Sequence, residues 1–212
     1  MGSKTILGNP VSAVAPALGC VLMWSTVATG FKLGLATFAV EQLLFLGTLV
    51  SWLVFFGFAA GTQNLSLAPP DRKLAIGLGL INPTAYYLIL FAAYDRLPAH
   101  VAQPINYTWA ITLALLAVPI LGQRLSLRSL CGILVSYAGV VMLVTTTPEV
   151  AGPIDTYGVA LALLSTVLWA GYWLLSTRSQ ATPVSIMFWS FSAALPVITG
   201  ICWYGPGLPS VN

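Results

Sequence analysis

The amino-acid sequence predicts an all-α membrane protein: a polytopic helical bundle of seven spans, laid out on an inverted five-helix repeat. Three observations carry that prediction. Charged residues make up 6% of the 212-residue chain against 58% hydrophobic residues, whereas a soluble domain carries about 25% charged residues to stay wetted. Apolar runs long enough to cross a bilayer, about 18 residues or more, recur almost end to end. The sequence around Trp24 then returns around Trp169, a period of 169 − 24 = 145 residues.

The spans fall at roughly 11–31, 38–60, 74–94, 99–121, 126–146, 157–177 and 184–204. The first follows "MGSKTILGNP", which lacks a small-residue cleavage site after a short apolar core, so it reads as a retained span rather than a signal peptide. "GTQNLSLAPPDRK" at 61–73 separates the second span from the third, and "DRLP" at 95–98 separates the third from the fourth. "GQRLSLR" at 122–128 and "TTPEVAGPID" at 146–155 bound the fifth. All five carboxylates, Glu41, Asp71, Asp95, Glu149 and Asp155, lie at span ends or in loops. No acid sits at mid-membrane, where proton relays place theirs.

Basic residues orient the chain, because Lys and Arg in short loops favour the cytoplasm. Lys4, Arg72, Lys73, Arg124, Arg128 and Arg178 fall on one side, and only Lys32 and Arg96 on the other. Six against two places the N-terminus inside. That orientation argues against a receptor of the G-protein-coupled type, and the last span has no lysine to hold retinal. The net charge of +3 comes with no basic run suited to nucleic acid. Cys20, Cys131 and Cys202 lack metal-ligand spacing and read as small buried side chains. Neither metal nor cofactor is expected.

The repeat sets the domain plan. "LGCVLMWSTVATGFKLG" in the first span and "LALLSTVLWAGYWLLSTRS" in the sixth share an apolar–Trp pair, small and hydroxylated residues, and a following basic residue. Five helices separate the copies, and an odd number inverts the second in the membrane. Residues 1–147 then form one five-helix repeat and 148–212 the first two helices of another, seven spans of an expected ten. Inverted repeats mark secondary transporters, whose substrate site lies near the midplane between the halves. The alternative expectation is a truncated fragment that transports nothing. A membrane-embedded enzyme is disfavoured, since the one histidine, His100, lies near a surface and no acid is buried.

The polar residues inside the spans locate the candidate site. At roughly 100° per residue, Gln103, Asn106 and Tyr107 share one face of the fourth span with Ala99, Ala110, Ala114 and Ala117. Val101, Ile105, Thr112 and Leu116 form an opposite, lipid-like face. Polar side chains turn inward because lipid offers them no hydrogen bond. The sixth span carries Ser165, Trp169, Tyr172, Trp173 and Ser176 on one face, and the third has Asn82-Pro83 near its middle with Tyr86 a turn later. Trp24, Asn82, Tyr86, Asn106, Tyr107, Trp169 and Tyr172 are the residues expected to bind substrate. For Asn82 and Asn106, the competing role is hydrogen-bonded glue between helices. Tyr94, Tyr157 and Tyr204 read as belt residues at the membrane interface.

The stretch "AAYDRLPAHVAQPINYTWAITLALLAVPILGQRLSLRSLCGILVSYAGVVMLV", with "LMWST" before it and "VLWAGYWLLSTR" after it, resembles the EamA-like branch of the drug/metabolite transporter superfamily. Within that branch "INYTW" and Gln123 look most like the YddG-type aromatic amino-acid exporters, although Ala110 stands where those usually have Pro. The resemblance implies ten helices in two inverted halves around a central cavity in the inner membrane. Helices one, three, four and six would contribute to that cavity. It implies export of small metabolites, such as aromatic or other neutral amino acids, by alternating access. The implied partners are the small-molecule substrate and the lipid bilayer.

Overall fold

A computed structural model describes residues 10–146 and 154–209; Lys4, Glu149 and the last three residues lie outside the described residues. Over these residues the chain is α-helical, with no strand. The helices are α1 (Pro10–Leu35), α2 (Val40–Gly61), α3 (Pro69–Gly79), α4 (Tyr86–Arg96), α5 (Ala99–Tyr107), α6 (Trp109–Leu121), α7 (Leu127–Thr146), α8 (Thr156–Ser176) and α9 (Pro183–Tyr204). Six continuous or near-continuous helices are long and apolar enough to cross a membrane, and α7 adds a shorter apolar stretch over 127–142. The chain is a multi-pass membrane protein.

Two of the expected spans are broken rather than straight. The third starts at Pro69, because two prolines suit a first helical turn that has no internal N–H bonds to lose. It then opens into a wide π-type turn at Leu80–Ala85, where Asn82 is extended (φ −136°, ψ 115°) ahead of a cis bond to Pro83. An opened turn strands backbone carbonyls, and lipid cannot satisfy them. The Thr84 hydroxyl does so for one, donating to the Gly79 carbonyl at 2.9 Å. The fourth span breaks at Thr108, whose N–H and hydroxyl both donate to the Ile105 carbonyl, at 3.1 and 2.7 Å. α6 ends at Gly122, where φ is +67°, a left-handed geometry that favours glycine.

α8 is the central post. It packs along α4, α5 and α6, while α9 packs on α2 and α3. α1 leans on α2, α4 and α5, and α7 touches α5. Exposed Leu22, Met23, Leu53, Val54, Leu134 and Val135 give these outer helices the apolar surface that hydrocarbon requires. At one end of the bundle, Asp155 caps α8 by accepting from the N–H groups of Tyr157 (2.9 Å) and Gly158 (3.0 Å). It also pairs with Arg96 at 3.2 Å. The Gly158 N–H, then Arg96, hold its carboxyl below the usual carboxylate value.

Several expectations fail here for reasons of packing. Val101 and Ile105, expected to face lipid, are 1% and 5% exposed, since α5 is wedged between α7 and α8. Thr112 on the same face exchanges a hydrogen bond with Thr166 of α8 at 2.9 Å. Cys20 and Cys131 are exposed on the outer helices, and only Cys202 is buried. Tyr94 is buried at 1% exposure instead of standing in the interfacial belt; Tyr157 and Tyr204 are exposed.

α3 and α9 approach closely at Gly79. A Cβ on Gly79 would lie 2.1 Å from the Ser190 carbonyl oxygen, a backbone atom that no rotamer change can move. Gly79→Ala is expected to lower stability by about 1–3 kcal/mol, the usual cost of overpacking. Gly77→Ala, where a Cβ meets nothing within 4 Å, serves as the control. Thermal unfolding of detergent-purified protein reads the difference; equal midpoints would show that α3 and α9 do not meet at Gly79.

Candidate functional site

Trp24 and Val27 from α1, Tyr86 and Tyr87 from α4, Asn106 and Tyr107 from α5, Trp109 from α6 and Trp169 from α8 surround a cavity of about 90 Å³. Phe31, Leu90, Tyr94 and Gln103 complete its wall. The break at Thr108 matters for this convergence, because Tyr107 and Trp109 both face the chamber, whereas two residues apart on a straight helix they would point about 200° apart, to nearly opposite sides. The aromatic rings interlock. Trp169 lies 4.7 Å from Tyr86 and edge-on to Trp109 at 6.3 Å. Trp24 faces Tyr107 at 6.3 Å, and the Tyr107 hydroxyl donates to the Trp24 carbonyl at 3.4 Å.

One polar network holds three of the helices that meet at the chamber. The Asn106 amide donates to the Ser165 hydroxyl at 2.9 Å, which in turn donates to the Ala162 carbonyl at 2.6 Å. The Tyr86 hydroxyl meets the Asn106 side-chain oxygen at 3.4 Å. Tyr86 and Asn106 are each 5% exposed and Ser165 is fully buried. Asn106 therefore links helices, the glue role open to it from sequence, and also borders the cavity. Higher in the chamber, the Tyr94 hydroxyl donates to the Gln103 side-chain oxygen. The Lys32 ammonium, just past Phe31, donates to the Tyr94 carbonyl at 2.5 Å. It ties α1 to the last turn of α4, where helix carbonyls lack intrahelical partners.

No Asp, Glu, Lys or Arg is among the residues that wall the chamber. What it offers is ring faces, two side-chain amides and tyrosine hydroxyls, together with the Trp169 indole N–H, which is buried without a hydrogen-bond partner. Such a lining suits a neutral or internally compensated molecule with an aromatic part.

Of the seven residues expected from sequence, the structure brings Trp24, Tyr86, Asn106, Tyr107 and Trp169 to this chamber. Trp24 and Tyr107 stand at its edge, 46% and 42% exposed. Asn82 and Tyr172 stand behind the wall. Asn82 is 8% exposed with its side-chain oxygen unpartnered. Tyr172 is 2% exposed, stacks on Trp169 at 5.7 Å and directs its hydroxyl at the Met187 sulfur, 3.6 Å away. Trp173, on the polar face expected of the sixth span, is 43% exposed. Sequence reasoning missed Val27, Phe31, Tyr87, Leu90, Tyr94 and Trp109. A signal existed: Tyr86, Leu90 and Tyr94 recur at four-residue steps, and Trp24, Val27 and Phe31 at i, i+3 and i+7, each marking one helix face.

The model of the EamA-like transporter family matches residues 11–145. The chain belongs to the EamA-like transporter family. That match takes in α1 to α7, including four of the five helices that line the chamber. No curated protein and no solved structure matches the chain. EamA-like proteins are membrane transporters of the drug/metabolite type and not enzymes.

Asn106 and Ser165 connect α5 to α8 directly, so their side chains are expected to be energetically coupled. A cycle of Asn106→Ala, Ser165→Ala and the double variant should give a coupling of about 0.6–1.7 kcal/mol, the range for interhelical hydrogen bonds in membranes. Unfolding of the reconstituted protein measures it. Additive effects would mean that the two side chains do not bond.

Proposed function

We propose that this EamA-like chain moves small neutral aromatic metabolites, aromatic amino acids among them, out of the cell across the inner membrane. The observation that carries this reading is the chamber: aromatic on most sides, amide-bearing, and without a charged side chain in its wall. Ring faces stack on the apolar part of the cargo, while Asn106, Gln103 and the tyrosine hydroxyls orient its polar end. The exporter family that "INYTW" and Gln123 resemble supports the same cargo class and the export direction.

Trp24 and Trp169, equivalent across the 145-residue period, face the same chamber. That placement supports the inverted repeat, with residues 1–147 as one half and the α8–α9 region as the start of the other. Alternating access then rocks α1 and its neighbours against the α8 post, widening the chamber beyond its present volume of about 90 Å³ to admit the cargo. The excess of Lys and Arg on one side supports a cytoplasmic N-terminus.

Everted inner-membrane vesicles test direction and site together. They are expected to accumulate labelled phenylalanine or tryptophan when they carry this chain, and right-side-out vesicles are not. Asn106→Ala should cut accumulation at least tenfold at equal abundance. Leu115→Ala, at an exposed position of α6, should leave it unchanged. Ile105, although adjacent, is unsuited as a control because it is buried. Equal transport by the Asn106 and Leu115 variants would remove Asn106 from the pathway, and accumulation only in right-side-out vesicles would reverse the direction.

A further inference from the structure

A second cavity, of about 190 Å³, lies on the other side of Phe31 and Tyr87, between α2, α4 and α9. The two cavities share those two rings, which stand edge to face with centroids 6.0 Å apart. Phe91 and Phe191 extend the aromatic wall on the far side, and no charged residue lines it.

Thr48 gives this cavity a chemical preference. Threonine hydroxyls in helices commonly turn back on the carbonyl three or four residues earlier. Thr62, Thr112 and Thr199 do so here, donating to Phe58, Thr108 and Leu195. Thr48 lines the cavity, is 1% exposed, and its hydroxyl has no partner among the described residues. Burying a hydroxyl without a hydrogen bond is costly. An apolar cavity of about 150 Å³ already admits a single benzene ring, so this one has space for a ring with one small polar substituent.

We infer that this cavity is a binding site for a neutral, single-ring aromatic molecule carrying one hydroxyl or carbonyl group, which bonds to Thr48 while its ring lies among Phe31, Tyr87, Phe91 and Phe191. The absence of a charged lining residue disfavours a carboxylate or an amine in the same place. The inference does not rest on the transport reading, because occupancy is an equilibrium property of the folded chain.

Benzyl alcohol bearing a photoreactive diazirine tests it on the full chain in lipid nanodiscs, with labelled residues mapped by mass spectrometry. Labelling is expected at 43–51 and 83–91, to saturate with probe concentration, and to be displaced by unlabelled benzyl alcohol. A Cβ on Gly47 would meet nothing within 4 Å while Gly47 lines the cavity, so Gly47→Leu fills the space and should reduce that labelling at least fivefold. Ser51→Leu fills it from the next turn and should do the same, which guards against one variant misfolding. Thr48→Val keeps the shape and should raise the half-saturating concentration severalfold. Labelling that never saturates and spreads over exposed Leu53 and Val54 would overturn the site, as would indifference to both filling variants, or no labelling at all.

Discussion

A hydrogen bond that lipid cannot supply governs this protein. An amide, hydroxyl or peptide group at membrane depth is satisfied by the chain itself or is left beside a cavity at a cost, as at Thr48 and Trp169. Asn106 finds Ser165 and Tyr86, and by doing so fixes α5 and α4 to the α8 post. The rings that line the chamber are carried by those same helices. Beyond that link, Tyr94–Gln103 ties α4 to α5 and Arg96–Asp155 ties α4 to the start of α8, while apolar contact in a bilayer gives little orientation.

The same constraint explains the two broken spans. A proline in mid-span releases the carbonyl four residues earlier, and at Pro83 the chain answers locally, with Thr84 donating to Gly79; at the break after Tyr107, Thr108 donates to Ile105. The breaks then do something a straight helix does not. They re-aim Tyr86 on one side, and Tyr107 with Trp109 on the other, into the same space. Irregular backbone at this depth is tolerated where it lines a cavity, and both breaks adjoin one.

Much of this was legible in the sequence. Apolar run lengths located the helices, and the Asn82-Pro83 pair marked the place where the third span opens. Five of seven expected site residues reach the chamber because polar and aromatic side chains in a span have few other places to go. The failures have a common cause. Periodicity tells which residues share a face, but not how many neighbours a helix has. α5 is covered on two sides, so Val101 and Ile105 are buried where lipid was expected. Tyr94 lies near a helix end, yet α1 and α5 fold over it. Asn82 and Tyr172 are buried but do not wall the chamber, Tyr172 lying against Trp169. Depth along a helix was readable; the order of layers around it was not.

Cargo protection of a single engineered thiol tests the central claim most directly. In a version with Cys20, Cys131 and Cys202 replaced by Ala, Tyr107→Cys places a thiol at the half-exposed edge of the chamber and Val118→Cys places one on the outer face of α6. Saturating tryptophan is expected to slow maleimide labelling at position 107 severalfold and to leave position 118 unchanged. Equal rates at position 107 with and without tryptophan, in protein that still transports it, would contradict the account.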